Sequence, residues 1–587
     1  MAWRAALFPS LRGYRRGWLR PDVIAGLTVW AVLVPECLAY ASIAGVSPVV
    51  GLYAAPAALL LYALFGSSRH LIVGPMSATA AMSAVTVAGV VGAAVAGAGG
   101  KNYAAATTAL AIVAGVIALA AGLLRLGFLA GFISAPVLKG FIVGLALTII
   151  AGQLPKLFGV EKGDGDFFEK IWDLITKLGD TNGWTLGVGL ASLALILVLR
   201  RYVPLVPASL AAVVFGILAV LVFGLDDRHV DVVGHIASGL PALGLPSLPA
   251  ADYLKLAAGA VGIVLVGFAE GLGAAKTYAA RAGYDVDANR ELIGLGAANV
   301  GAGLSSGMVV NGSLSKTAVN GGAGARSQVS GLVVAALTVV TLLFLTGLFE
   351  QLPESTLAAI VIAAVIELVD IPALAGFYRL WTTRLGSIYG PAARADFIAA
   401  VAAMLGVLVF DTLPGLFIGI GVSLLLLVYR ANRPNVAVLG RAADAEGMWV
   451  DLARHPDSPT EPGVVVVRVE SGLFFANADH VRARIRALAA GGSDGVRAVV
   501  LDAETVPFVD LTAAQMLADL DRDLTRDGVA LLLARDIGQV RDILRRVVVG
   551  HTAADVLHKV YPSVDAAVAT ARAEATTAEP QTPAETD

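Results

Sequence analysis

The stretch Met308-Val-Val-Asn-Gly-Ser-Leu-Ser-Lys-Thr-Ala-Val-Asn-Gly-Gly-Ala-Gly-Ala-Arg-Ser-Gln328 lies between two long apolar runs. It is too polar and too rich in glycine to cross a bilayer as a plain helix. The hydroxyl residues Ser313 and Ser315 come just before a run compatible with a helix, Lys316 to Val319. Hydroxyl side chains are preferred at helix N-termini, so we predict that a short helix begins here.

A helix N-terminus inside a membrane presents unpaired N–H groups and about half a positive charge. Lys316 adds a full charge. A lysine at the centre of a span costs about 2.5–3.5 kcal/mol on insertion scales, so a functional role is favoured over a side chain that extends to the interface. Such a break is tolerated only inside the protein or beside a cavity. The stretch therefore predicts a positive pocket that binds an anion.

Composition limits the class of protein. The 587 residues are 57% hydrophobic and 15% charged, with a mean hydropathy of +0.78, as in polytopic membrane proteins. The net charge of −3 argues against a nucleic-acid partner. With Cys37 as the single cysteine, no intramolecular disulfide can form. The sequence shows no metal-ligand cluster and no phosphate-binding loop, so we expect neither a cofactor nor an enzyme.

Apolar runs of suitable length predict seven spans before a proline-rich polar gap and seven after it. The first set lies near 23–41, 49–66, 74–96, 104–123, 128–151, 183–199 and 205–224. The second set lies near 254–275, 287–305, 313–324, 328–348, 354–371, 395–411 and 414–429. Basic residues are concentrated in every second loop, on the side of the N-terminal arginines, which places both termini in the cytoplasm.

An odd number of spans in each half makes the second half run through the membrane in the opposite direction. This is the arrangement of inverted repeats, in which broken helices meet near the midplane. The third span begins His70-Leu-Ile-Val-Gly-Pro-Met-Ser-Ala-Thr79, and it shares a pattern with the tenth span: a short extended piece, a break with glycine, then small hydroxyl residues. Pro75 suits the first helical turn. Two positive helix ends should therefore face one site.

The chemistry changes near Pro434, where charged residues return and apolar runs shorten. Two strands are predicted at 463–469 and 496–502, and helices at 478–490, 511–526 and 537–547. We predict a cytoplasmic N-terminal segment (1–22), a transmembrane anion-transport domain (23–433), a soluble cytoplasmic α/β domain (434–572) and a disordered tail (573–587).

Several motifs are similar to those of the sulfate permease (SulP) family, a branch of the solute-carrier group that includes prestin. They include Gly51-Leu52-Tyr53 and Gly66-Ser67-Ser68-Arg69. The C-terminal part resembles the STAS domain of these proteins, so the resemblance covers roughly 20–570. It implies a seven-plus-seven inverted-repeat fold with core and gate domains, secondary transport of small anions in the cell membrane, and a homodimer.

The resemblance also implies which residues bind the anion. The family's site lies between the third and tenth spans, with the first and eighth spans alongside. Carried over by motif, the residues that line it are Glu36, Tyr40, Met76, Ser77, Ala78, Glu270, Leu314, Ser315 and Lys316.

Three departures from the family pattern matter. The first span usually has Pro-Gln where this chain has Pro35-Glu36, and an arginine is common at the position of Lys316. Lysine lacks the bidentate fork of arginine and acts as a point charge. In the STAS domain, the phosphorylatable position is occupied by Leu511, which argues against phosphorylation there.

A charge count suggests the mechanism. Two helix ends and Lys316 give roughly +2, and ionised Glu36 and Glu270 would cancel it. Protonation of one carboxylate, which burial favours, restores the attraction for an anion. We therefore predict proton–anion symport, with Glu270 favoured as the proton carrier over Glu36. Sodium coupling and anion exchange stay open as alternatives.

Other classes of function also stay open: a channel or an electromotile element, a nucleobase–proton symporter, and a membrane sensor with the STAS domain as its output. The partners we expect are a small anion, H⁺ or Na⁺, the lipid bilayer, a second copy of the chain and an unidentified protein at the STAS domain. Sulfate, bicarbonate and dicarboxylates all suit two helix ends plus a lysine.

Overall fold

The structure is a computed structural model that describes residues 8–577 except 12, 92–100, 129–133, 162, 164, 204–205, 367–368, 370–371, 373–374, 377, 380–389, 411, 443–446, 492–494 and 548–559. The chain falls into two compact units, one drawn from 1–381 and 394–423 and the other from 382–393 and 424–587.

The first part of the chain is helical. Its helices are α1 (Leu19–Ile43), α2 (Pro48–Phe65), α3 (Ser77–Val91), α4 (Lys101–Leu123), α5 (Ala135–Phe158), α6 (Phe167–Thr176), α7 (Gly183–Tyr202), α8 (Ala208–Phe223), α9 (Ala250–Ala282), α10 (Ala288–Leu304), α11 (Leu314–Gly322), α12 (Val329–Val340), α13 (Glu354–Ile366), α14 (Gly390–Phe410) and α15 (Thr412–Asn432). The helix of α12 continues through a π-helical segment (Thr341–Leu345) and a 3-10 segment (Thr346–Phe349).

Among the described residues, eight helices are long and apolar enough to cross a bilayer, and four shorter apolar helices accompany them. The shorter ones are α3, α8, α13 and the described part of α14 from Asp396 to Phe410. The chain is therefore a multi-pass membrane protein. The count of fourteen spans stays a prediction. Parts of the predicted third, fifth, seventh, twelfth and thirteenth spans lie outside the described residues: 92–96, 129–133, 205, 367–368, 370–371 and 411.

Two short strands lie just before two of the shorter helices. Strands β1 (Ile72–Gly74) and β2 (Asn311–Ser313) pair antiparallel, with Val73 opposite Gly312. Helix α3 begins three residues after β1, and α11 begins directly after β2. Because strand pairing holds the two breaks together, it fixes the two helix starts side by side. The predicted sequence of extended piece, break and helix is present in both segments.

Helices α1–α4 and α9–α12 pack mainly on one another: α10 lies against α2 and α4, and α1 lies against α2 and α12. A second group consists of α5, α7, α8 and α13, in which α13 packs on α5 and α7. Helix α1 contacts members of both groups, since it also packs on α8 and α13. The segment that contains Glu36 is therefore placed where the two groups meet.

The contact between α1 and α2 gives a physical reason for a glycine in one of the family motifs. A Cβ atom built on Gly51 would lie 2.0 Å from the carbonyl oxygen of Cys37. Any side chain at this position would therefore force the two helices apart. The motif around Gly51 is a packing requirement of the first two spans.

The second unit contains a six-stranded sheet with the order β4-β3-β5-β6-β7-β8. The strands are β3 (Val436–Arg441), β4 (Trp449–Asp451), β5 (Val464–Val469), β6 (Ala498–Asp502), β7 (Ala530–Ala534) and β8 (Val560–Tyr561). Strands β5 to β8 are parallel, whereas β3 is antiparallel to both of its neighbours. This is the expected soluble α/β architecture.

Helices cover both faces of this sheet. Helices α16 (Ala478–Ala490), α17 (Leu511–Arg526) and α18 (Gly538–Val547) pack on one apolar face, and α19 (Val564–Thr577) packs on the other together with Trp449. The sequence predicted α16 and α17 with these bounds, and α18 with a start one residue earlier. Their amphipathic periodicity is strong because each covers a single sheet face.

One helix was not predicted, and two expectations need correction. The interval between the fifth and sixth predicted spans contains an amphipathic helix, α6, which begins at a capping box formed by Asp166 and Glu169. The fifth span is displaced toward the C-terminus, because α5 covers Ala135–Phe158 instead of 128–151. Helix α19 extends to Thr577, five residues into the predicted disordered tail, and residues 578–587 lie outside the described residues.

Candidate functional site

The candidate site is built where α3 and α11 begin. The hydroxyl of Ser313 accepts a hydrogen bond from the backbone N–H of Lys316 at 3.2 Å and so caps α11. The hydroxyls of Ser313 and Ser315 lie 3.1 Å apart. The predicted capped helix start at this break is therefore present, with its free backbone N–H groups next to those of α3.

Lys316 lies at the centre of this site. Its side chain is 1% exposed, and its Nζ donates a hydrogen bond of 2.9 Å to the carbonyl oxygen of Pro75, just before α3. Nζ also lies 2.8 Å from Oε2 of Glu36, whose side chain is 3% exposed, and 5.1 Å from the centre of the Tyr40 ring. One ammonium group thus connects α11 to the start of α3 and to α1.

Lys316 and Glu36 form a buried ion pair whose two charges cancel. Removal of one partner from a buried ion pair costs about 3–5 kcal/mol, because the remaining charge is left buried and unpaired. The pair is neutral as a unit, so the residual positive potential comes from the two helix ends. In this arrangement the ammonium group of Lys316 already has an anionic partner, the carboxylate of Glu36.

The other predicted binding residues differ in exposure. Ser77 and Ala78 at the start of α3 are 6% and 2% exposed, and Met76 is half-buried. Leu314 is 55% exposed, and Ser315 is also exposed. The α3 side of the site is therefore enclosed, while the first turn of α11 forms its accessible edge.

Glu270 occupies a different environment. It lies on α9, and its Oε2 atom is buried with no hydrogen-bond partner. It forms no ion pair with any residue in the described ranges. Nearby on α9, a Cβ atom built on Gly267 would lie 2.9 Å from the side chain of Asn311 in β2, so α9 passes close to that strand. The structure therefore separates the two predicted carboxylates into one that is paired and one that is not.

Sequence reasoning missed Glu291, a carboxylate that positions the site without belonging to the predicted binding residues. Glu291 on α10 is fully buried and accepts hydrogen bonds from the Tyr62 hydroxyl at 2.6 Å and from the backbone N–H groups of Ser67 and Ser68 at 2.8 and 3.0 Å. The Ser67 hydroxyl adds a fourth bond at 2.7 Å. This carboxylate fixes the connection that leads into β1. The available signal was the Ser-Ser pair within a family motif.

Further polar side chains hold β1 in place. The Thr317 hydroxyl accepts a hydrogen bond from the N–H of Ile72, the Asn320 amide donates to the carbonyl of His70, and the Gln328 amide donates to the carbonyl of Leu71. All three side chains, those of Thr317, Asn320 and Gln328, follow Lys316 in sequence. The first two lie on α11, and the third lies just beyond it. The second broken segment therefore positions the first through side chains as well as through the strand pair.

Asp22, at the start of α1, has a similar positioning role. Its carboxylate accepts hydrogen bonds from the backbone N–H groups of Arg326 and Ser327 and from the Ser327 hydroxyl. The aspartate is fully buried. It ties α1, which contains Glu36, to the segment that follows α11. In the described residues no group of three histidine, cysteine or acidic side chains is arranged to hold a metal ion.

The comparisons with known families agree with this architecture. The sulfate permease family model matches residues 19–387, and the STAS domain model matches residues 455–567. A protein of Mycobacterium tuberculosis described as a probable sulfate transporter is 37% identical over 536 residues, covering 91% of this chain and 92% of that one. The resemblance found in the sequence is therefore confirmed for both parts of the chain.

Two solved structures are similar to this chain. Murine solute carrier 26 family member A9, an anion transporter solved in the inward-facing state, shares 23% identity with a TM-score of 0.84, covering 97% of this chain and 95% of that chain. The transmembrane domain of the cyanobacterial bicarbonate transporter BicA shares 25% identity with a TM-score of 0.57, covering 67% of this chain and 97% of that chain. The first of these matches shows the fold alone, including its C-terminal α/β domain.

Proposed function

Because the chain belongs to the sulfate permease family, a family of membrane transporters and not of enzymes, we propose that it is a secondary active transporter of a small anion. The anion binds between the starts of α3 and α11. The observation that carries this proposal is the position of Lys316, whose Nζ contacts the carbonyl of Pro75 at one helix start while its own backbone belongs to the other.

The proposed substrate is a small oxyanion, with sulfate as the first choice. Two helix ends supply backbone N–H donors and about half a charge each, which suits a tetrahedral or planar oxyanion. The mycobacterial relative is described as a probable sulfate transporter, and the cyanobacterial structure is that of a bicarbonate transporter. Bicarbonate and small dicarboxylates are the alternatives that the same donors would accept.

The proposed coupling follows from the two carboxylates. Helix ends and Lys316 together give roughly +2, and ionised Glu36 and Glu270 reduce the sum to roughly zero. An incoming dianion has to displace the Glu36 carboxylate, which lies 2.8 Å from Lys316. Protonation of Glu270 leaves the site with a net positive charge, which favours replacement of the Glu36 carboxylate by the anion beside Lys316, so proton and anion binding favour each other reciprocally. Glu270 is the proposed proton carrier because its buried Oε2 has no hydrogen-bond partner that would stabilise a charge.

Sodium-coupled symport and anion exchange are the rival modes on the same site. The unpaired oxygen of Glu270 could also bind a cation, since a carboxylate near broken helices is a suitable Na⁺ ligand. We further propose that the protein is a homodimer with both termini in the cytoplasm, as the family resemblance and the basic loops predict.

The test is uptake of radiolabelled sulfate, bicarbonate or fumarate into sodium-free proteoliposomes, with and without an inward proton gradient. We expect one of these anions to accumulate with the gradient, and we expect Lys316→Ala to abolish its uptake. The control variant Lys276→Ala removes an exposed lysine and should transport normally.

Two further variants identify the coupling mode. Glu270→Gln should abolish gradient-driven uptake while exchange against internal anion persists, and the exposed control Glu161→Gln should change neither. Uptake that requires Na⁺ or internal anion in the unmodified protein would overturn proton coupling. An absence of flux under every condition would favour the sensor function instead.

A further inference from the structure

A narrow apolar groove lies between α7 and α8, away from the candidate anion site. Its volume is about 350 Å³, and its walls include Gly187, Val188 and Ala191 on α7 and Phe215, Leu218 and Val222 on α8. Trp184 lies at the end of the groove where α7 begins. The two small residues on α7 leave the space that the groove occupies.

The groove opens toward the hydrocarbon part of the bilayer. Helix α7 is one of the helices long and apolar enough to span a membrane, and Leu218 and Val222 on α8 are 53% and 71% exposed. Trp184, at the second position of α7, is 50% exposed. Tryptophan is typical of the interface between lipid and water, so the end of the groove at Trp184 lies near the headgroups.

The neighbouring helix α6 supports this depth assignment. The backbone N–H of Asn182, just before α7, donates to the carbonyl of Phe158 at the end of α5. The connection between these two helices, which contains α6, therefore begins and ends at the same depth in the membrane. Within that connection, Phe168, Trp172 and Ile175 on α6 are each more than half exposed. They share one side of an amphipathic helix, as expected for a helix in the membrane interface.

A cation lies at the headgroup end of the groove. The guanidinium carbon of Arg228 is 4.4 Å from the centre of the Trp184 ring. The Asn182 amide donates to the carbonyls of Arg228 and His229 and so fixes this turn. Arg228 forms no ion pair with the acidic residues that the structure describes, although its neighbour Asp227 is exposed beside it. The side chain of Arg228 is exposed, so its guanidinium can contact a ligand.

We propose that this groove binds one anionic phospholipid, with an acyl chain between α7 and α8 and the phosphate at Arg228. From Trp184 to Ala191 the groove is about 10 Å long, at 1.5 Å per residue. Over that length, a volume of 350 Å³ corresponds to a mean cross-section of about 35 Å², less than half that of a helix about 10–12 Å in diameter, so the groove suits a single acyl chain and not a helix of another protein. The apolar groove matches the acyl chain of such a lipid, and the cation at its end matches the negative headgroup.

The site can be blocked without disturbing the protein around it. A Cβ atom built on Gly187 meets no atom within 4 Å, so Gly187→Leu places a side chain in the groove without a clash. Gly421 on α15 also has open space around its Cβ position, and Gly421→Leu is the matched control. Arg228→Ala removes the headgroup contact, and Arg228→Lys retains the charge.

The experiment is native mass spectrometry of the full-length protein in detergent, with phosphatidylglycerol or phosphatidylcholine of identical acyl chains added. We expect one phosphatidylglycerol to remain bound, with about fivefold preference over phosphatidylcholine, the effect of one basic residue near a headgroup phosphate. Arg228→Ala should remove the preference, Arg228→Lys should keep most of it, and Gly187→Leu should remove binding of both lipids. Gly421→Leu should bind as the unmodified protein does.

Equal lipid retention in the unmodified protein, Arg228→Ala and Gly187→Leu would overturn the proposal. So would a Gly187→Leu variant that loses a dimer instead of a lipid, because the groove would then belong to an interface between copies. A thermal melt of each variant identifies loss of fold, and a melt of Gly187→Leu close to that of Gly421→Leu is required for the comparison.

Discussion

The two broken segments that meet at the site have similar backbones and different side chains. Each consists of a three-residue strand followed by a helix, and the strands pair with each other. The α3 segment has no charged side chain at its helix start and contributes the carbonyl of Pro75. The α11 segment contributes Lys316, which donates to that carbonyl. A repeat that is symmetric in its backbone therefore has one cation that acts on both halves.

This difference shows how the two halves divide their roles. The α3 segment is enclosed, with Ser77 and Ala78 buried, and the residues that lead into it donate hydrogen bonds to Thr317 on α11 and to Glu291 on α10. The α11 segment has the accessible residues Leu314 and Ser315. We infer that α3 provides a fixed surface and that α11 provides charge and access. Equivalent substitutions in the two segments should therefore have unequal effects.

The largest effect is expected from Lys316→Ala. It removes the one cationic side chain that contacts both segments. It also leaves the Glu36 carboxylate buried and unpaired, at a cost of about 3–5 kcal/mol. Anion uptake into proteoliposomes should fall to background. Lys316→Arg keeps the charge and is expected to retain measurable uptake. Normal uptake by the alanine variant would show that the positive charge of α11 is not needed.

The second effect concerns one glycine in each of the two paired strands. A Cβ atom on Gly312 would lie 2.9 Å from the backbone Cα of Gly271 on α9, whereas one on Gly74 would meet only Leu33 at 3.5 Å. Gly312→Ala should therefore destabilise the protein by about 1–3 kcal/mol, the usual cost of overpacking. Gly74→Ala should change little. Thermal unfolding of the two variants compares them directly, and equal melting temperatures would contradict the difference in packing.

The third prediction concerns Glu36→Gln, which removes the carboxylate that competes for Lys316. Sulfate affinity near neutral pH should rise by roughly tenfold, because no carboxylate then competes with sulfate for the lysine. The affinity should keep its dependence on pH, because Glu270, the proposed proton carrier, is still present. Titration calorimetry at two pH values measures both effects. A loss of the pH dependence would assign the coupling proton to Glu36 instead of Glu270.

The smallest effects are expected from single hydroxyls. Ser313→Ala removes the cap on Lys316 N–H and should cost about 1 kcal/mol of stability. Ser77→Ala removes no protein hydrogen bond among those of the described residues and should melt within about 0.5 kcal/mol of the unmodified protein. Its KM for the anion should nevertheless rise if Ser77 contacts substrate. A KM that stays unchanged would remove Ser77 from the binding site.

Much of the fold was predictable because it depends on local patterns. The helices at Ala478–Ala490 and Leu511–Arg526 have strong amphipathic periodicity, and the break before Lys316 combines glycine, capping hydroxyls and a charge in a few residues. Each of these signals is contained in one stretch of sequence. The inverted repeat was predicted from the odd number of spans in each half and from the pattern that the third and tenth spans share, and the family resemblance implies the same arrangement.

The contacts of the site were not predictable to the same degree, because they join residues far apart in sequence. Glu291 accepts its hydrogen bonds from Tyr62 and Ser67, which precede it by 229 and 224 positions. Glu36 and Lys316 were counted as separate charges, yet they lie 2.8 Å apart. Helix α6 was missed because it is too short and too charged to resemble a span, and its apolar side is visible only as a helical pattern.

The most direct test of the proposed mechanism is the proton balance of anion binding. Sulfate is added to the purified protein in weakly buffered solution with a pH indicator, and bound sulfate is measured in parallel. We predict net uptake of about one proton per bound sulfate, since the two bind cooperatively, and no uptake in Lys316→Ala, which should bind no sulfate. Stoichiometric sulfate binding with no proton uptake would contradict the coupling of anion and proton at this site.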